Sequence, residues 1–344
     1  MAACSGGSRI SPAEPCKAGG GSPMHMFCYV LILLTALGAV QAVAGLFAVR
    51  VFAARRRHPV ESLSPVTILK PVCGDEPMLE EAIISFCVQQ YPAFQLLVGA
   101  HDPNDPALQV VRRLQARFPE CEITVVADPT LHGPNRKIAN LMNMLPFAKH
   151  DLLVFADSDL HVTPDYLVRV VAALEQAGTG LVTTLYGGEP AVDGIPALLG
   201  ATHISHSFLP GALLAAALGR QDCLGCTMAL RRETLEQVGG LGALVGHLAD
   251  DNVLGQKIRQ LGLAIRLADT VPVVTVQDRS FSTLWLHELR WARTIGALAP
   301  IAFSASVLQF PLFWALLAVV LSGGALWAIG CFAAAWIIRA AVVR

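Results

Sequence analysis

Two aspartates separated by one serine, Asp157-Ser158-Asp159, follow the unbroken apolar run of residues 152–156. Carboxylates at that spacing, just beyond a buried strand, can meet a hard divalent cation that bridges phosphate oxygens. An Asp-x-Asp by itself is common as a turn or a helix cap. Its place after a buried strand favours the functional reading. A second acidic run, His101-Asp102-Pro103-Asn104-Asp105, follows the apolar residues that end at Ala100. A third pair, Asp250-Asp251, stands ahead of a helical run beginning at Asn252. There a carboxylate either caps the helix and compensates its dipole or serves as a general base toward an acceptor hydroxyl. Last comes His287-Glu288-Leu289-Arg290-Trp291, just ahead of a long uncharged stretch. Arg290 could neutralise a diphosphate leaving group, and Trp291 could pack on a sugar or a lipid. The plainer reading is an Arg-Trp anchor at a bilayer boundary.

The elements that must position these residues lie between residues 51 and 297, where short β-rich runs alternate with helical ones. Strands are predicted over 66–69, 94–100, 122–127, 152–156 and 181–186. Helices are predicted over 76–90, 106–118, 136–148 and 164–176, the last with Pro164 in its first turn. This alternation predicts an α/β fold with a mostly parallel sheet covered on both faces. In such sheets the ligand sits beyond the carboxyl ends of the strands, which is where the acidic clusters fall. No Gly-x-Gly-x-x-Gly follows the first strand and no Walker-type lysine loop is present, so dinucleotide and P-loop chemistry are unsupported. No Ser-His-Asp or Cys-His arrangement offers an enzyme nucleophile either. Cys223-Leu-Gly-Cys226 has the spacing of half a zinc site but no companion pair, and reads as two small buried residues in a strand.

Composition sets the surroundings of this domain. Of 344 residues, 54% are apolar and 15% charged, and the net charge is −1. A soluble domain averages roughly a quarter charged residues, and the mean hydropathy of +0.53 departs the same way. With no basic excess, a nucleic-acid partner is excluded. Residues 26–49 carry no charge and suffice for one membrane crossing. A retained anchor is preferred to a cleaved signal because 25 residues of Gly-, Pro-, Ser- and Ala-rich tail precede it. Arg50, Arg55, Arg56 and Arg57 follow that span whereas Arg9 and Lys17 precede it, which predicts a cytoplasmic domain. Residues 298–338 are again free of charge. They allow two crossings joined at Gly323-Gly324, or one crossing preceded by an interfacial helix. The last apolar run leaves room for a further span beyond Arg344. The reduced state of the nine cysteines follows from a cytosolic domain.

In their order these residues resemble the ceramide glucosyltransferase-like family of membrane glycosyltransferases. That family carries an Asp after the second strand, an Asp-x-Asp-like turn, a third Asp and a Gln/Arg-x-x-Arg-Trp motif. They correspond here to Asp102, Asp157-Ser158-Asp159, Asp251 and His287 to Trp291. The bacterial hopanoid-biosynthesis branch is the more similar one, on Gly133-Pro-Asn-Arg-Lys-Ile-Ala-Asn140, on residues 157–164 and on residues 287–294. The resemblance implies a GT-A fold for residues 60–297, a tail over 1–25, a transmembrane helix over 26–49 and a membrane region over 298–344. It implies an inverting hexosyltransferase with a nucleotide-sugar donor such as UDP-GlcNAc or UDP-glucose, and Mg2+ or Mn2+ as divalent cation. The acceptor would be a membrane lipid, a hopanoid or a ceramide, at the inner membrane of a bacterium.

The resemblance also distributes roles. Asp102 would contact the base or ribose, Lys137 would sit near the nucleotide, and Asp157 near the diphosphate. Asp159 would ligate the metal, with Asp157 beside it. Asp251 would be the base, a role that Asp250 could share, while Arg290, Trp291 and His287 serve the leaving group and acceptor. His287 stands where many relatives have Gln or Arg, and Asn252 where they usually have an aromatic residue. A processive polysaccharide synthase shares the Asp motifs, but that class usually has more spans and a Gln at the position of His287. A silent scaffold would not need the three acidic sites.

Overall fold

The computed structural model describes residues 23–55 and 63–343. The predicted tail over 1–25 falls almost wholly outside the described residues, as do Arg9, Lys17, Arg56, Arg57 and Arg344. Packing divides the chain into two compact units, one of residues up to Val40 with Leu308–Val342, the other Gln41–Val307. Helix α1 (Pro23–Ala53) begins in the first and ends in the second. The larger unit then runs β1 (Val66–Pro71), α2 (Leu79–Cys87), β2 (Phe94–Ala100), α3 (Pro106–Arg117), β3 (Glu122–Ala127) and α4 (Arg136–Met144). Next come β4 (Leu152–Ala156), β5 (Leu160–His161), α5 (Tyr166–Leu174), β6 (Thr179–Thr183), β7 (Gly187–Pro190), α6 (Ile195–His203) and α7 (Leu209–Ala217). It closes with β8 (Thr227–Arg231), α8 (Arg232–Gln237), α9 (Asp250–Gln260), β9 (Ala264–Leu267), β10 (Val273–Val276), α10 (Phe281–Leu298) and α11 (Pro300–Ala305).

The main sheet has the order β3-β2-β1-β4-β8-β6-β9. Every neighbouring pair is parallel except β4–β8 and β8–β6, so β8 alone runs against its neighbours. Side chains alternate between its faces with the strand period of two. Val66 and Ile68 face a core with Ile83 and Phe86 of α2, Leu108 of α3 and Val170 of α5. Leu69, Leu153 and Phe155 face a second core with Ile138 of α4, Leu235 of α8 and Ile258 of α9. A sheet buried on both sides needs the near-continuous apolar strands that the sequence supplies. The chain order reverses between β1 and β4, which opens a crevice beyond their carboxyl ends.

Several boundaries differ from those predicted. Pro164 lies ahead of α5 rather than in its first turn, because Asp165 has already taken the capping position. Glu76 precedes α2 instead of opening it, and the strand predicted over 181–186 ends at Thr183, which leaves Tyr186 outside the strand near the carboxylates of the crevice. Cys223 and Cys226 are buried as expected but occupy the turn before β8, not a strand. A small second sheet, β5-β10-β7, was not predicted.

Within the smaller unit, Cys28, Leu31 and Thr35 of α1 are buried at helical spacing. Gly38 comes so close to the Leu308 carbonyl that a Cβ there would lie 2.3 Å from its oxygen. Helices α12 (Pro311–Leu321) and α13 (Leu326–Val343) bury the small residues Ala315, Ala318, Ala328 and Ala335. Large apolar side chains such as Leu33, Val40, Leu316 and Trp336 remain exposed. Met26–Ala53 is the one described helix long and apolar enough to cross a membrane by itself. The joint at Gly323-Gly324 is present, with both φ values positive at 67° and 82°. Between residues 298 and 321 the helical segment Pro300–Gln309 meets α12 at a 65° bend, so this apolar stretch is a broken pair of helices rather than one straight helix.

Candidate active site

The crevice is built from the ends of β1 and β4, the start of α4 and the start of α9. Lys70, at the end of β1, is fully buried and donates from Nζ to the Asp157 carbonyl at 2.6 Å. Its ammonium lies 4.3 Å from the centroid of the Phe86 ring. Burial lowers it to about 8 against the opposing pull of Asp159, Asp157 and Glu76. The Asp157 carboxylate instead pairs with Lys137 of α4, Oδ1 to Nζ 2.5 Å. Burial alone would lower Lys137, but Asp157, then Asp250 and Asp251, hold its ammonium above the ordinary value. Asp159 is pushed up to about 7, first by burial and then by Asp157, with Lys70 opposing. Glu76, in the loop after β1, takes a hydrogen bond from Ser158 and is raised chiefly by burial.

The Asp250-Asp251 pair joins the same cluster. Ala249 occupies the N-cap of α9 and both aspartates sit in the first turn, so neither carboxylate is the N-cap of the helix. Asn135, which caps α4 by accepting from the Ile138 N–H, donates from Nδ2 to Asp250 Oδ1 at 3.1 Å. Asp250 Oδ2 is buried and has no hydrogen-bond partner among the described residues. Asp251 accepts at Oδ1 from the Asn252 N–H at 2.7 Å. A Cβ on Gly225 would lie 3.0 Å from Asp251 Oδ2, so the bare backbone there leaves that oxygen its space. Burial, and then the charges of Asp250 and Asp157, raise the Asp251 acid above the ordinary carboxylate range against Asn252 and Lys137.

Helix α10 reaches the crevice through aromatic rings. Tyr186 is raised by burial with Asp157, Asp251 and Asp159 among its charged neighbours. Its ring lies 4.8 Å from Phe208, which lies 6.5 Å from Trp291, which meets His287 edge-on at 5.1 Å. Phe208 ends a π-turn, Ile204–Phe208, inserted between α6 and α7. His287 Nδ1 lies 3.1 Å from Asp278 Oδ2, and His203 Nδ1 of α6 lies 3.1 Å from Glu288 Oε1. Arg290 is exposed, and among the described residues no carboxylate pairs with it.

Asp157, Asp159, Lys137, Asp250 and Asp251 are thus brought together, whereas Trp291 and His287 connect to Tyr186 only through the ring series that runs by way of Phe208. Asp102 is not part of the cluster. It is exposed and closes its own turn, accepting at Oδ1 from the Asn104 N–H at 2.8 Å. Its neighbour Asp105 caps α3 through the Ala107 N–H and holds the Gly74 N–H. Sequence reasoning missed Lys70, Glu76, Asn135, Tyr186 and Phe208. The signal for Lys70 was available, since a charge closing the apolar strand Val-Thr-Ile-Leu-Lys-Pro requires a partner.

No group of three or more His, Cys, Asp or Glu side chains among the described residues forms a cage for a metal ion. What is present is a crowded pair of oxygen donors, Asp157 and Asp159, whose mutual repulsion already raises Asp159. That set fits a hard cation that completes its shell with phosphate oxygens and water.

The sequence profile of glycosyl transferase family 21 matches residues 30–343. Ceramide glucosyltransferase 3 of Caenorhabditis elegans is 25% identical over 251 residues, covering 72% of this chain and 54% of that protein. Ceramide glucosyltransferase of Komagataella phaffii is 29% identical over 170 residues, covering 48% of this chain and 33% of that protein. The chain therefore spans about half or less of the length of these curated relatives. Among solved structures, a mannosyltransferase from Pyrobaculum calidifontis, in complex with GDP-Man and Mn2+, superposes with a TM-score of 0.57 at 19% identity. That match covers 92% of this chain and 87% of the mannosyltransferase, and it establishes a GT-A-like glycosyltransferase fold. With the profile match running across both units, the chain belongs to glycosyl transferase family 21.

Proposed function

We propose that this chain transfers a hexose from a UDP-sugar, such as UDP-glucose or UDP-GlcNAc, to a hydroxyl of a membrane lipid, with inversion at the anomeric carbon. The observation that carries the reading is the junction of Asp157, Lys137, Asp250 and Asp251 at the sheet's switch point. A single displacement needs a stabilised leaving diphosphate on one side and a base for the attacking hydroxyl on the other. Asp157 and Asp159 would hold Mg2+ or Mn2+, which when bound neutralises charge on the donor phosphates. Lys137 holds Asp157 in place and adds its own positive charge toward the nucleotide. Asp251, freed from capping and with Oδ2 open beside Gly225, takes the acceptor proton, while Asp250 keeps Lys137 charged from the other side. Arg290, with which no carboxylate among the described residues pairs, offers its guanidinium to the departing diphosphate, and Trp291 with Phe208 and Tyr186 forms an apolar wall for the acceptor. Asp102 would reach the base or ribose from the loop after β2.

The acceptor is a bilayer lipid because α1 is long and apolar enough to anchor the chain and its exposed face is apolar. Arg50 and Arg55 at its end support a catalytic unit on the cytoplasmic side. A ceramide is favoured by the curated relatives, which are ceramide glucosyltransferases. The hopanoid reading rests on the sequence motifs at residues 133–140 and 287–294. Mass spectrometry of lipid extracts from cells with and without the gene tests both. A new species heavier by one hexose or one N-acetylhexosamine on a ceramide or a hopanoid is expected. An unchanged lipid profile with active, membrane-inserted protein contradicts the proposal.

A further inference from the structure

Away from the carboxylate cluster, the larger unit contains a cavity of about 700 Å³ beside the edge strand β9. Four guanidinium groups line it, from Arg55, Arg169, Arg220 and Arg266, against the carboxylates of Asp165 and Asp269. Two of the four are matched: Arg169 pairs with Asp165 at 2.6 Å, and Arg220 grips Asp222 through two bonds of 2.8 and 2.9 Å. Of the other two, Arg55 pairs only loosely, at 3.9 Å from Asp269. Among the described residues Arg266 donates only to neutral oxygens, Thr179 Oγ1 at 2.8 Å and the Ala177 carbonyl at 3.3 Å. The cavity therefore holds uncompensated positive charge on the group best shaped for phosphate.

Its position says which phosphate. Arg55 lies two residues past the end of α1, whose Phe52 packs with Leu185 and Leu213 in a small core of its own. The lining includes Ala216 and Gly219 at the end of the apolar helix α7, and Leu218, between them in sequence, is 79% exposed. A charged cavity with an apolar lip, at the foot of an apolar helix, suits an amphiphile with an anionic head. A soluble anion would use only the charge. We propose that this cavity binds the phosphate headgroup of an anionic phospholipid, at a site distinct from the sugar-transfer crevice. The proposal rests on the reading of α1 as a membrane anchor. Juxtamembrane arginines are drawn to anionic leaflets in any case. A half-open cavity lined by these arginines adds selective retention of one lipid after the bilayer is removed.

The test uses the full chain reconstituted in phosphatidylcholine vesicles with and without phosphatidylglycerol, then extracted in mild detergent. Native mass spectrometry counts the lipids retained. Preferential retention of phosphatidylglycerol is expected, falling roughly tenfold or more in an Arg55→Gln, Arg266→Gln double variant. Arg113→Gln, on the surface of α3, should retain the wild-type preference. Because Arg266 also ties β9 to Thr179, Arg55→Gln alone must lower the preference without changing the melting temperature. Equal retention of the two lipids, or an unchanged preference in the double variant, overturns the proposal. So does inorganic phosphate stabilising the detergent-solubilised chain as much as phosphatidylglycerol does, since the ligand is then a soluble anion. Flotation with phosphatidylcholine vesicles separates the two readings. Failure to float removes the anchor and this site together, whereas flotation without lipid preference removes this site alone.

Discussion

The loops after β2 and β4 both carry acidic residues beyond the carboxyl end of a buried parallel strand, and they resolve that situation in opposite ways. After β2, Asp102 turns onto its own backbone and Asp105 caps α3, so both carboxylates there accept from backbone N–H groups. After β4, Asp157 and Asp159 lie among Glu76, Asp250 and Asp251 with Lys137 paired to Asp157, and burial with this crowding raises Asp159, Asp251 and Glu76. Position at a strand end is thus insufficient to mark reactive chemistry. What separates the loops is charge density under burial, which is costly to fold and useful only to a ligand of opposite charge. The switch between β1 and β4 explains why the density falls there, since only at that point do two strands part to admit a ligand.

The largest effect that can break this contrast is metal removal. Chelation should abolish transfer and Mg2+ or Mn2+ restore it, measured with radiolabelled donor, because in the proposed site a cation would link the Asp157–Asp159 pair to the diphosphate. Full activity in chelator would place the leaving-group stabilisation elsewhere. Next is Arg290→Ala, expected to lower kcat by about 10²- to 10³-fold, the usual loss for one electrostatic donor. A variant at the wild-type rate assigns Arg290 to the bilayer boundary alone.

The pH profile sharpens the comparison further. Asp251 has its acid raised in the folded chain, so its basic form is lost as pH falls through a value above the ordinary carboxylate range. The acid limb of kcat should lie there, and an acid limb at the pH of an unperturbed carboxylate would exclude Asp251 as its source. The smallest effect belongs to the loop after β2. Asp102→Ala should raise KM for the donor by about tenfold, the worth of one charge-assisted hydrogen bond of ~1.5 kcal/mol, with kcat nearly unchanged. A collapse of kcat in that variant would erase the distinction between the two loops.

Much of the frame is readable from residue order because its strands are buried on both faces. The bounds of β2, β3 and β4 coincide with the apolar runs 94–100, 122–127 and 152–156, each ended by turn residues. The small sheet is illegible for the converse reason: β7 is Gly-Gly-Glu-Pro, with neither alternation nor β-branched residues, and it forms only because β10 pairs with it. Asp157, Asp159 and the Asp250-Asp251 pair are legible as acids after strands or before a helix. Their mutual approach is not, since Lys137 and Asn135 join residues roughly a hundred positions apart through tertiary packing. Tyr186 is obscured because the apolar run 181–186 gives no sign that the strand stops at Thr183. The break in the C-terminal apolar stretch follows from Pro300 and Pro311, whose missing N–H groups favour helix starts and interrupt a continuous span.

The central claim is that the acids of β4 and α9 form one sugar-transfer site in which Asp251 takes the proton. The direct measurement is Asp251→Asn in the purified full chain, with donor binding by calorimetry and transfer by product mass in the same preparation. Asparagine keeps the acceptor for the Asn252 N–H and the space beside Gly225 but takes no proton at neutral pH. The account predicts UDP-sugar affinity close to wild type and a kcat lower by about 10²- to 10⁴-fold. Wild-type turnover in Asp251→Asn would contradict it and move the search for the base to Asp250.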